Sequence, residues 1–538
     1  MAARLTLCMI LKDEEELLPA FLDRVRGLWD ELVAVDTGST DRTPALLAEA
    51  GARLVRQPWA GDFSAARNVS LDAASGEWVL VLDADEMVSP QLAASARSVL
   101  DDESAGAATV LLRDRLPHGH RRETRLLRMF RRDPAIRFRH AIHEDASEGV
   151  AAHLGRTGRR LVHLEGVVEH LGYVRSRAAA RDKKARDVAL LERCLSDDPL
   201  DLYAHFKRLE QARFWRDRRL WGRAAADAAL AVEQAPARLA ALGQGGELLA
   251  LLADGLYPDA PAAALQLLEA RGGRVRPSAA LHLRRGELRE LVGRLGPAAE
   301  DFERCRALAA STSNLQLATV RPLLGLMRLD LARGDLAAAR RRVAESLAVA
   351  PRDPEALLAA VALQRAAGGP GAVADFAARH GAANGDPVEL HEAVGEEALL
   401  SGDLPVALRA LERAAGEPPA GRPGLQLAVA RLAAGDAAGA RALAARLGGE
   451  LPEAALVGLL CDLAEGKDSA VDLDLESSEA ERALRGMAAA LAAAARPEVR
   501  SRLERAAPAL AAAFPWLPAA LAARGAGGAG GVQGGAPR

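Results

Sequence analysis

The chain of 538 residues is poor in cysteine and in aromatic residues, and its charge is nearly balanced. Its four cysteines lie far apart, which excludes a disulfide scaffold and a cysteine-rich zinc site and favours a reducing compartment. Aromatic residues amount to 3%, which argues against an RNA-stacking module or a sugar-binding lectin. The formal net charge of -3 argues against electrostatic attraction of the whole protein to nucleic acid, so no nucleic-acid partner is predicted.

Long apolar runs are also missing. A membrane-spanning helix needs a run of about 18 apolar residues, which the sequence lacks, and the apolar stretch before Glu14 is too short for a signal peptide. The sequence therefore predicts a cytoplasmic protein without a transmembrane segment. A basic stretch between Arg113 and Arg139 holds ten arginines against three acids, so peripheral association with the inner face of the membrane stays open.

The length predicts two or more domains, and the first, over residues 1–195, is predicted to be an α/β domain. Continuous apolar runs are typical of strands buried on both faces of a parallel sheet, and amphipathic helical patterns lie between them. We expect a Rossmann-like, mainly parallel sheet with helices on both faces and a ligand beyond the carboxyl ends of the strands. The predicted strands are 5–10, 32–35 and 78–82, and the predicted helices include 15–28 and 44–50.

Residues 196–522 read as almost entirely helical and contain evenly spaced glycines. Gly334, Gly368, Gly402 and Gly435 are 34, 34 and 33 residues apart, and a period of about 34 is that of the tetratricopeptide (TPR) repeat. Gly293 indicates an earlier repeat. We therefore predict a TPR-like α-solenoid here, with a plain helical bundle as the alternative. Residues 523–538 form a glycine-rich tail that is predicted to be disordered.

Two carboxylates follow the predicted strand WVLVL directly. Asp83 and Asp85 lie where the chain leaves a buried strand, and together they can hold a divalent cation that bridges a diphosphate. Two like charges buried there are costly unless a cation or hydrogen-bond donors offset them. The alternative is a solvated strand end without a ligand.

The second predicted strand ends in DTGSTDRT, which begins at Asp36. DTGS also occurs in aspartic proteases, but those need an all-β frame and a second such motif, and here the motif leads into a helix. We expect Asp36 to contact a nucleotide base or ribose and Asp41 to brace the turn. A turn that only caps the helix is the alternative. Asp13, with Glu16 three residues later, fits a capping box at the start of the first helix.

Three further candidates lie later in the domain. Arg67, in DFSAARN, is suited to a carboxylate or phosphate because its guanidinium donates two hydrogen bonds at once. Glu144 or Asp145, in HAIHED, can act as a general base. His143 and His170 are candidates for a site, although a structural histidine is the ordinary outcome, and the absence of HExxH argues against a zinc protease.

Six motifs occur in a fixed order within residues 1–175: CMILKDEEELL, VDTGSTDRT, DFSAARN, WVLVLDADE, AIHE and EHLGY. Together they resemble the family-2 glycosyltransferases of the GT-A fold. More narrowly, they resemble the bacterial branch with TPR repeats behind the catalytic domain, which includes lipopolysaccharide-core transferases and S-glycosyltransferases of glycopeptide bacteriocins. Two departures are mild: Asp13 replaces the usual Asn, and Arg42 replaces the usual Gly.

The resemblance implies an inverting, hexosyltransferase-like enzyme that uses a nucleotide-sugar donor and Mg²⁺ or Mn²⁺. The acceptor would be a glycan, a lipid-linked sugar or a peptide. Each candidate residue then has an implied role. Nucleotide-sugar binding falls to Asp36, Asp41, Arg67 and Asp83, metal binding to Asp83, Asp85 and His170, and the base to Glu144 or Asp145.

Two other functions compete with this hypothesis. One is a TPR scaffold with a degenerate glycosyltransferase domain, and the other is a nucleotidyltransferase on a similar sheet. A nucleotidyltransferase would need a glycine-rich basic loop after the first strand, where this chain has KDEEE. The repeats themselves are expected to bind a protein partner in a concave groove. Deleting residues after about 200 is expected to spare donor hydrolysis and to reduce transfer to the acceptor.

Overall fold

A computed structural model describes residues 4–115, 121–170, 177–215, 217–256, 260–309, 315–448, 451, 453–465 and 478–506. Within these residues the N-terminal part alternates strands and helices. The order is β1 (Leu5–Leu11), α1 (Leu18–Arg24), β2 (Glu31–Asp36), α2 (Thr43–Glu49), β3 (Arg53–Arg56), α3 (Phe63–Ala73), β4 (Trp78–Val81), β5 (Glu86–Val88), α4 (Pro90–Val99), β6 (Ala105–Arg115), β7 (Arg121–Arg131), α5 (Ser147–Thr157) and β8 (Arg160–His170).

These strands form one mixed sheet in the order β3-β2-β1-β4-β7-β6-β8-β5. The four strands β3, β2, β1 and β4 are parallel, as predicted. Strand β7 is antiparallel to β4 and β6, β8 is parallel to β6, and β5 is antiparallel to β8. The α/β class is confirmed, and the parallel arrangement holds for the half of the sheet that carries the apolar runs.

Both faces of the sheet are covered, which explains the continuous apolar strands. Alternate residues of β1 point to opposite faces, because successive side chains in a strand alternate. Leu7 and Met9 pack with Phe21 of α1 on one face, whereas Cys8 packs with Leu71 of α3 on the other. All of these side chains are buried. Helix α1 is shorter than the predicted helix 15–28.

The rest of the described chain is helical, as predicted. The helices are α6 (Arg177–Asp197), α7 (Leu202–Phe214), α8 (Arg218–Gln234), α9 (Pro236–Ala241), α10 (Gly245–Leu256), α11 (Pro261–Arg271), α12 (Ala279–Leu291), α13 (Leu295–Ala307), α14 (Leu315–Ala318), α15 (Val320–Ala332), α16 (Leu336–Val349), α17 (Pro354–Asn384), α18 (Val388–Leu400), α19 (Leu404–Ala415), α20 (Gly421–Ala433), α21 (Ala437–Leu447), α22 (Ala454–Glu465), α23 (Ser478–Ala494) and α24 (Pro497–Ala506). A short 3₁₀ turn covers Gly272–Arg274.

The periodic glycines lie at the turns of helical hairpins. Gly334, Gly402 and Gly435 have φ angles of 78°, 81° and 89°, a region that glycine enters without a steric penalty. In each hairpin the next residue is an aspartate that caps the following helix with its side chain, namely Asp335, Asp403 and Asp436. A left-handed glycine followed by an N-cap aspartate therefore closes each hairpin, and the TPR-like repeats are confirmed.

Helix α17 is long and apolar enough to cross a membrane by length and composition alone. Its backbone leaves the helical conformation at Gly368 and Gly369, just before Pro370. The two halves are each shorter than the roughly 20 residues that a bilayer requires. The segment is therefore another hairpin of the repeat series, with its left-handed glycine at Gly369 rather than at Gly368.

The chain divides into two compact units. The first contains the described residues up to Gly255, together with Gly273–Arg276 and Leu315, and the second contains the remaining described residues. The first unit thus extends beyond the boundary that we predict at 195/196. The reason is an apolar cluster in which Leu190 and Leu191 of α6 and Ala204 of α7 pack on Ile142 of the α/β domain. The predicted tail, 523–538, lies outside the described residues.

Candidate active site

The predicted site residues gather at the carboxyl edge of the parallel strands. Asp36 is the last residue of β2, and Asp83 follows the end of β4. Strand β1 lies between β2 and β4 in the sheet, so both acids reach the same edge. These side chains thus meet at the edge of the sheet where the sequence predicts a ligand.

Arg67 lies at the centre of this group. Its side chain is 3% exposed and bridges two acids: Nη2 donates to Oδ1 of Asp83 over 2.7 Å, and Nε donates to Oε1 of Glu144 over 3.1 Å. Burial would lower the pKa of Arg67, but the charges of Asp83 and Glu144 raise it, so the guanidinium stays charged. Nη1 is buried and has no hydrogen-bond partner within the described residues.

A second arginine, which the sequence did not single out, approaches Asp83 from β7. Arg128 Nη2 lies 4.0 Å from Oδ2 of Asp83 and 2.5 Å from Oε1 of Glu86. Burial alone would raise the pKa of Asp83, but Arg67 and Arg128 lower it below its usual range. Burial raises the pKa of Glu86 despite Arg128. The only sequence signal for Arg128 was the basic stretch, where it was one of ten arginines.

The predicted metal ligands are only partly brought together. His170 Nε2, at the end of β8, lies 3.4 Å from Oδ2 of Asp85. Two ligand atoms that share one cation at about 2.1 Å each lie about 3.0–3.4 Å apart, so this pair fits a common ion. The Asp83 carboxylate instead faces Arg67. In the described part of the chain, no group of three or more His, Cys, Asp or Glu side chains is arranged to hold a metal.

The acids of the β2–α2 loop are held by backbone amides. Oδ1 of Asp36 accepts hydrogen bonds from the amides of Gly38 and Ser39 at 3.3 and 2.9 Å. Both carboxylate oxygens of Asp41 accept backbone amides, one from Glu15 and one from Thr43. Asp41 therefore braces this turn, as its sequence suggested, and its oxygens are already occupied.

The predicted capping box at Asp13 is wrong. Asp13 has a φ of 53°, and its carboxylate accepts the amide of Thr40 in the β2–α2 loop over 2.7 Å. Helix α1 begins later, at Leu18, and has no side-chain cap. Asp13 therefore joins two loops instead of capping a helix. Its partner lies 27 residues away, so the spacing of residues in the sequence could not show this contact.

Helix α3 fastens the loop that carries the candidate bases. Asp62 caps this helix by accepting the amide of Ala65. Asn68 pairs with both backbone groups of Phe138, at 2.9 Å each. The amide of Phe63 donates to the carbonyl of Ala141 over 2.8 Å. The loop at residues 138–146 is therefore fixed relative to Arg67.

The two adjacent candidates for the base differ in their surroundings. Glu144 is mostly buried and faces Arg67. Asp145 lies in a short backbone bridge to Arg139, and its Oδ1 accepts the amide and the hydroxyl of Ser147 at the start of α5. The carboxylate of Asp145 thus closes a turn just before α5, whereas that of Glu144 belongs to the group around Asp83.

Side chains of α7 contact the same loop, and no sequence motif pointed to them. The hydroxyl of Tyr203 donates to the carbonyl of His143 over 2.7 Å, and its ring stacks on His140 with a centroid distance of 3.7 Å. Gln211 Nε2 lies 3.0 Å from Nε2 of His143. Burial, reinforced by nearby cationic side chains such as Lys207, lowers the pKa of His143 to about 3. His143 is therefore a neutral structural histidine.

Residues 6–156 match the family model described as Glycosyl transferase family 2. A TPR repeat-containing protein of Synechococcus elongatus is 44% identical over 203 residues, which cover 37% of this chain and 50% of that protein. An uncharacterised glycosyltransferase of Rickettsia conorii is 33% identical over 84 residues, 16% of this chain and 29% of that protein. The glycosyltransferase SunS of Bacillus subtilis is 27% identical over 201 residues, 36% of this chain and 46% of that protein.

The chain spans about half the length, or less, of these curated relatives. Among solved structures, glucosyl-3-phosphoglycerate synthase from Mycobacterium tuberculosis with phosphoglyceric acid is similar, at 22% identity and a TM-score of 0.27 over 36% of this chain and 79% of that one. A TPR protein of Thermus thermophilus is also similar, at 21% identity and a TM-score of 0.26. The match covers 35% of this chain and 93% of that one. These scores are too low to carry a functional conclusion. Residues 6–156 thus match glycosyltransferase family 2, and TPR-like repeats follow them in the chain.

Proposed function

We propose that this chain is an inverting glycosyltransferase that moves a sugar from a nucleotide-sugar donor to a glycan, a lipid-linked sugar or a peptide. One observation carries the proposal: buried Arg67 joins Asp83, on the donor side, to Glu144, the candidate base. A single hydrogen-bonded unit thereby links the two halves of the reaction. We propose that the protein acts in the cytoplasm, because such a site would meet its nucleotide-sugar substrates there.

The donor would lie along the strand ends. Oδ2 of Asp36 accepts no hydrogen bond within the described residues, so it is the oxygen that would receive a ribose hydroxyl or a base amine. The free Nη1 of Arg67 would donate to an oxygen of the donor sugar or diphosphate. Asp41 would act on the donor only indirectly, by holding the loop that carries Asp36.

Asp85 and His170 would hold Mg²⁺ or Mn²⁺, and their 3.4 Å separation fits two ligands of one ion. Asp83 would join them through its second oxygen, Oδ2, which is not the oxygen that pairs with Arg67 and lies 4.0 Å from Nη2 of Arg128. When bound, the metal supplies positive charge to the leaving diphosphate. Arg128 keeps Asp83 ionised from the other side.

Glu144 would accept the proton of the acceptor hydroxyl or thiol. The acceptor atom then forms a bond to the anomeric carbon while the bond to the diphosphate breaks, and the electron pair leaves with the nucleoside diphosphate. A single displacement inverts the configuration of that carbon. Asp145 would only shape the loop, by holding the turn before α5 through Ser147.

One observation favours a second function, a TPR scaffold with a degenerate glycosyltransferase domain. Within the described residues the Asp83 carboxylate is paired with Arg67, and the three predicted metal ligands do not form one cluster. The Synechococcus relative is also named for its repeats alone. In this function the α/β domain would precede the repeats but would not catalyse sugar transfer.

The test is product analysis on the full chain with Mn²⁺ and a panel of UDP-, GDP- and dTDP-sugars. We expect one donor to release nucleoside diphosphate without pyrophosphate. Asp85→Asn should reduce the release at least a hundredfold, and the matched control Asp23→Asn, an exposed acid on α1, should leave it unchanged. Release of pyrophosphate would indicate nucleotidyl transfer, and no release from any donor would favour the scaffold.

A further inference from the structure

The loop that carries Glu144 has an unusual backbone. His140 and His143 have φ angles of 73° and 56°, in the left-handed region that residues with a side chain rarely enter. Such a conformation is strained and persists only where surrounding contacts hold it. Two such residues within four positions, immediately before Glu144, call for a specific support.

Tyr203 of α7 supplies contacts to both strained residues. It is 8% exposed, its ring lies flat on His140 with an interplanar angle of 18°, and its hydroxyl donates to the carbonyl of His143. That carbonyl belongs to the peptide bond whose nitrogen is the amide of Glu144. The hydrogen bond therefore fixes the orientation of the peptide plane from which the Glu144 side chain departs.

Gln211 supports the same loop about two turns further along α7. The indole of Trp215 donates to Oε1 of Gln211 over 2.8 Å, so the amide nitrogen of Gln211 faces His143. Nε2 of His143 must accept this hydrogen bond, and the ring is neutral with its proton on Nδ1. His143 is thus locked in one tautomer by residues that lie beyond the predicted α/β domain.

We propose that Tyr203, in the first helical pair after the α/β domain, is a positioning residue for the general base Glu144. This inference rests on the proposed function. Within the described residues Tyr203 contacts neither Asp83 nor Asp85, so it reaches the donor side only through Glu144 and Arg67, and the 2.7 Å contact of Arg67 with Asp83 does not involve the Tyr203 hydroxyl. It acts through the peptide group between His143 and Glu144, which decides how Glu144 faces the acceptor.

The consequence is a separation of kinetic effects. Loss of the Tyr203 hydroxyl should misplace the base and lower kcat, because catalysis depends steeply on the geometry of the reacting groups. Donor binding should be unaffected, so the KM for the donor should stay at the wild-type value. A substitution that merely loosened the fold would instead lower the melting temperature and change both constants.

The experiment compares Y203F with the full-length wild type, using the donor and Mn²⁺ that give nucleoside diphosphate release. We expect kcat to fall about tenfold at an unchanged donor KM, as for one lost hydrogen bond that matters in the transition state. Arg213→Ala, an exposed residue on the same helix whose ion pair is with Asp254, is the control and should retain the wild-type kcat. Gln211→Met removes the other contact and should lower kcat in the same manner.

Four outcomes contradict the inference. An unchanged kcat in Y203F would overturn the positioning role alone, since the wild type still turns over. A donor KM that rises in step with the loss of kcat would assign α7 a purely structural role. A loss of the melting transition in both Y203F and Gln211→Met would assign α7 the same structural role. A wild type that releases no nucleoside diphosphate from any donor would overturn the proposed function, and the role of Tyr203 with it.

Discussion

At the scale of single residues, adjacent acids acquire different roles from their partners. Glu144 faces Arg67, whereas Asp145 accepts the amide and the hydroxyl of Ser147 in the turn before α5. We predict that Glu144→Gln keeps the fold but lowers kcat by about a thousandfold, because the amide cannot accept the acceptor proton. Asp145→Asn should keep most of the activity and lose about 1 kcal/mol of stability, because the charge-assisted hydrogen bonds to Ser147 are weakened. Turnover and thermal unfolding of both variants check this, and a reversed pattern would make Asp145 the base.

The buried histidine of the same loop predicts a pH dependence of stability. In the unfolded chain a histidine binds its proton near pH 6.5, while in the folded chain burial keeps His143 neutral down to about 3. Below pH 6.5 the unfolded state therefore binds more protons, so stability falls as the pH falls. Between pH 7 and pH 5 we expect a loss of about 2 kcal/mol from this group.

The check is urea unfolding of the wild type and of His143→Asn at both pH values. The variant should lose less stability on acidification, although it is less stable at pH 7 because the contact with Gln211 is weakened. His380→Asn, in the second unit, controls for the mere loss of a histidine. Equal losses in the wild type and in His143→Asn would show that His143 is not held neutral.

The identity of single site residues was partly readable from the sequence. Asp36 and Asp83 follow apolar runs, so their place at the strand ends follows from strand geometry. Arg128 and Tyr203 could not be found in this way, because their contacts to the site join distant parts of the chain. The sequence shows which residues follow a strand. It does not show which side chains from other elements contact those residues in the folded chain.

At the scale of elements, α3 determines the geometry between the donor side and the base. Asn68 satisfies both backbone groups of Phe138. Asn68→Ala should therefore lower stability by about 2–3 kcal/mol, since it leaves a buried amide and a carbonyl without partners. It should also reduce kcat, because the loop that carries Glu144 loses its attachment to α3.

Denaturant unfolding with an activity assay checks this prediction. Asp72→Ala is the matched control on α3, since its ion pair with Arg137 is largely exposed and contributes little. We expect Asp72→Ala to remain within about 0.5 kcal/mol of the wild type. A similar, small loss in Asn68→Ala would mean that the loop is fixed by other contacts.

The elements differ in how well the sequence predicted them. Strands β1, β2 and β4 are buried on both faces and read as apolar runs, so their ends were predicted to within a residue or two. Strands β6 to β8 were not predicted. In strand β7 arginines such as Arg128 and Arg131 recur every third residue, which breaks the alternation expected of a strand, and these arginines pair with acids from other parts of the chain.

At the scale of the whole molecule, the repeats are the part that the sequence predicts most directly. First helices of successive hairpins begin at Val320, Pro354, Val388 and Gly421, which repeats the 34-residue spacing of the glycines. A repeat needs one tight turn per hairpin, and glycine followed by aspartate satisfies that need locally. The 34-residue period depends on these local turn residues rather than on long-range packing. It can therefore be recognised from the sequence alone.

The division of the chain predicts how truncation will act. The sequence suggested that residues after about 200 are dispensable for donor hydrolysis. Tyr203 and Gln211 support the loop of Glu144 from beyond that point, and both belong to the first compact unit. We therefore expect a chain of residues 1–200 to lose donor hydrolysis or to unfold, because the strained backbone at His140 and His143 loses its contacts.

A chain of residues 1–276 is the matched comparison, because it keeps both Gly255 and the short piece Gly273–Arg276 of the first unit. It should melt cooperatively and hydrolyse the donor at close to the full-length rate. Its transfer to an acceptor should be reduced if the remaining repeats bind that acceptor, as their stacked hairpins suggest. Hydrolysis by the 1–200 chain at the rate of the 1–276 chain would show that α7 contributes nothing to the site, so this pair of truncations separates a catalytic scaffold from a recognition surface.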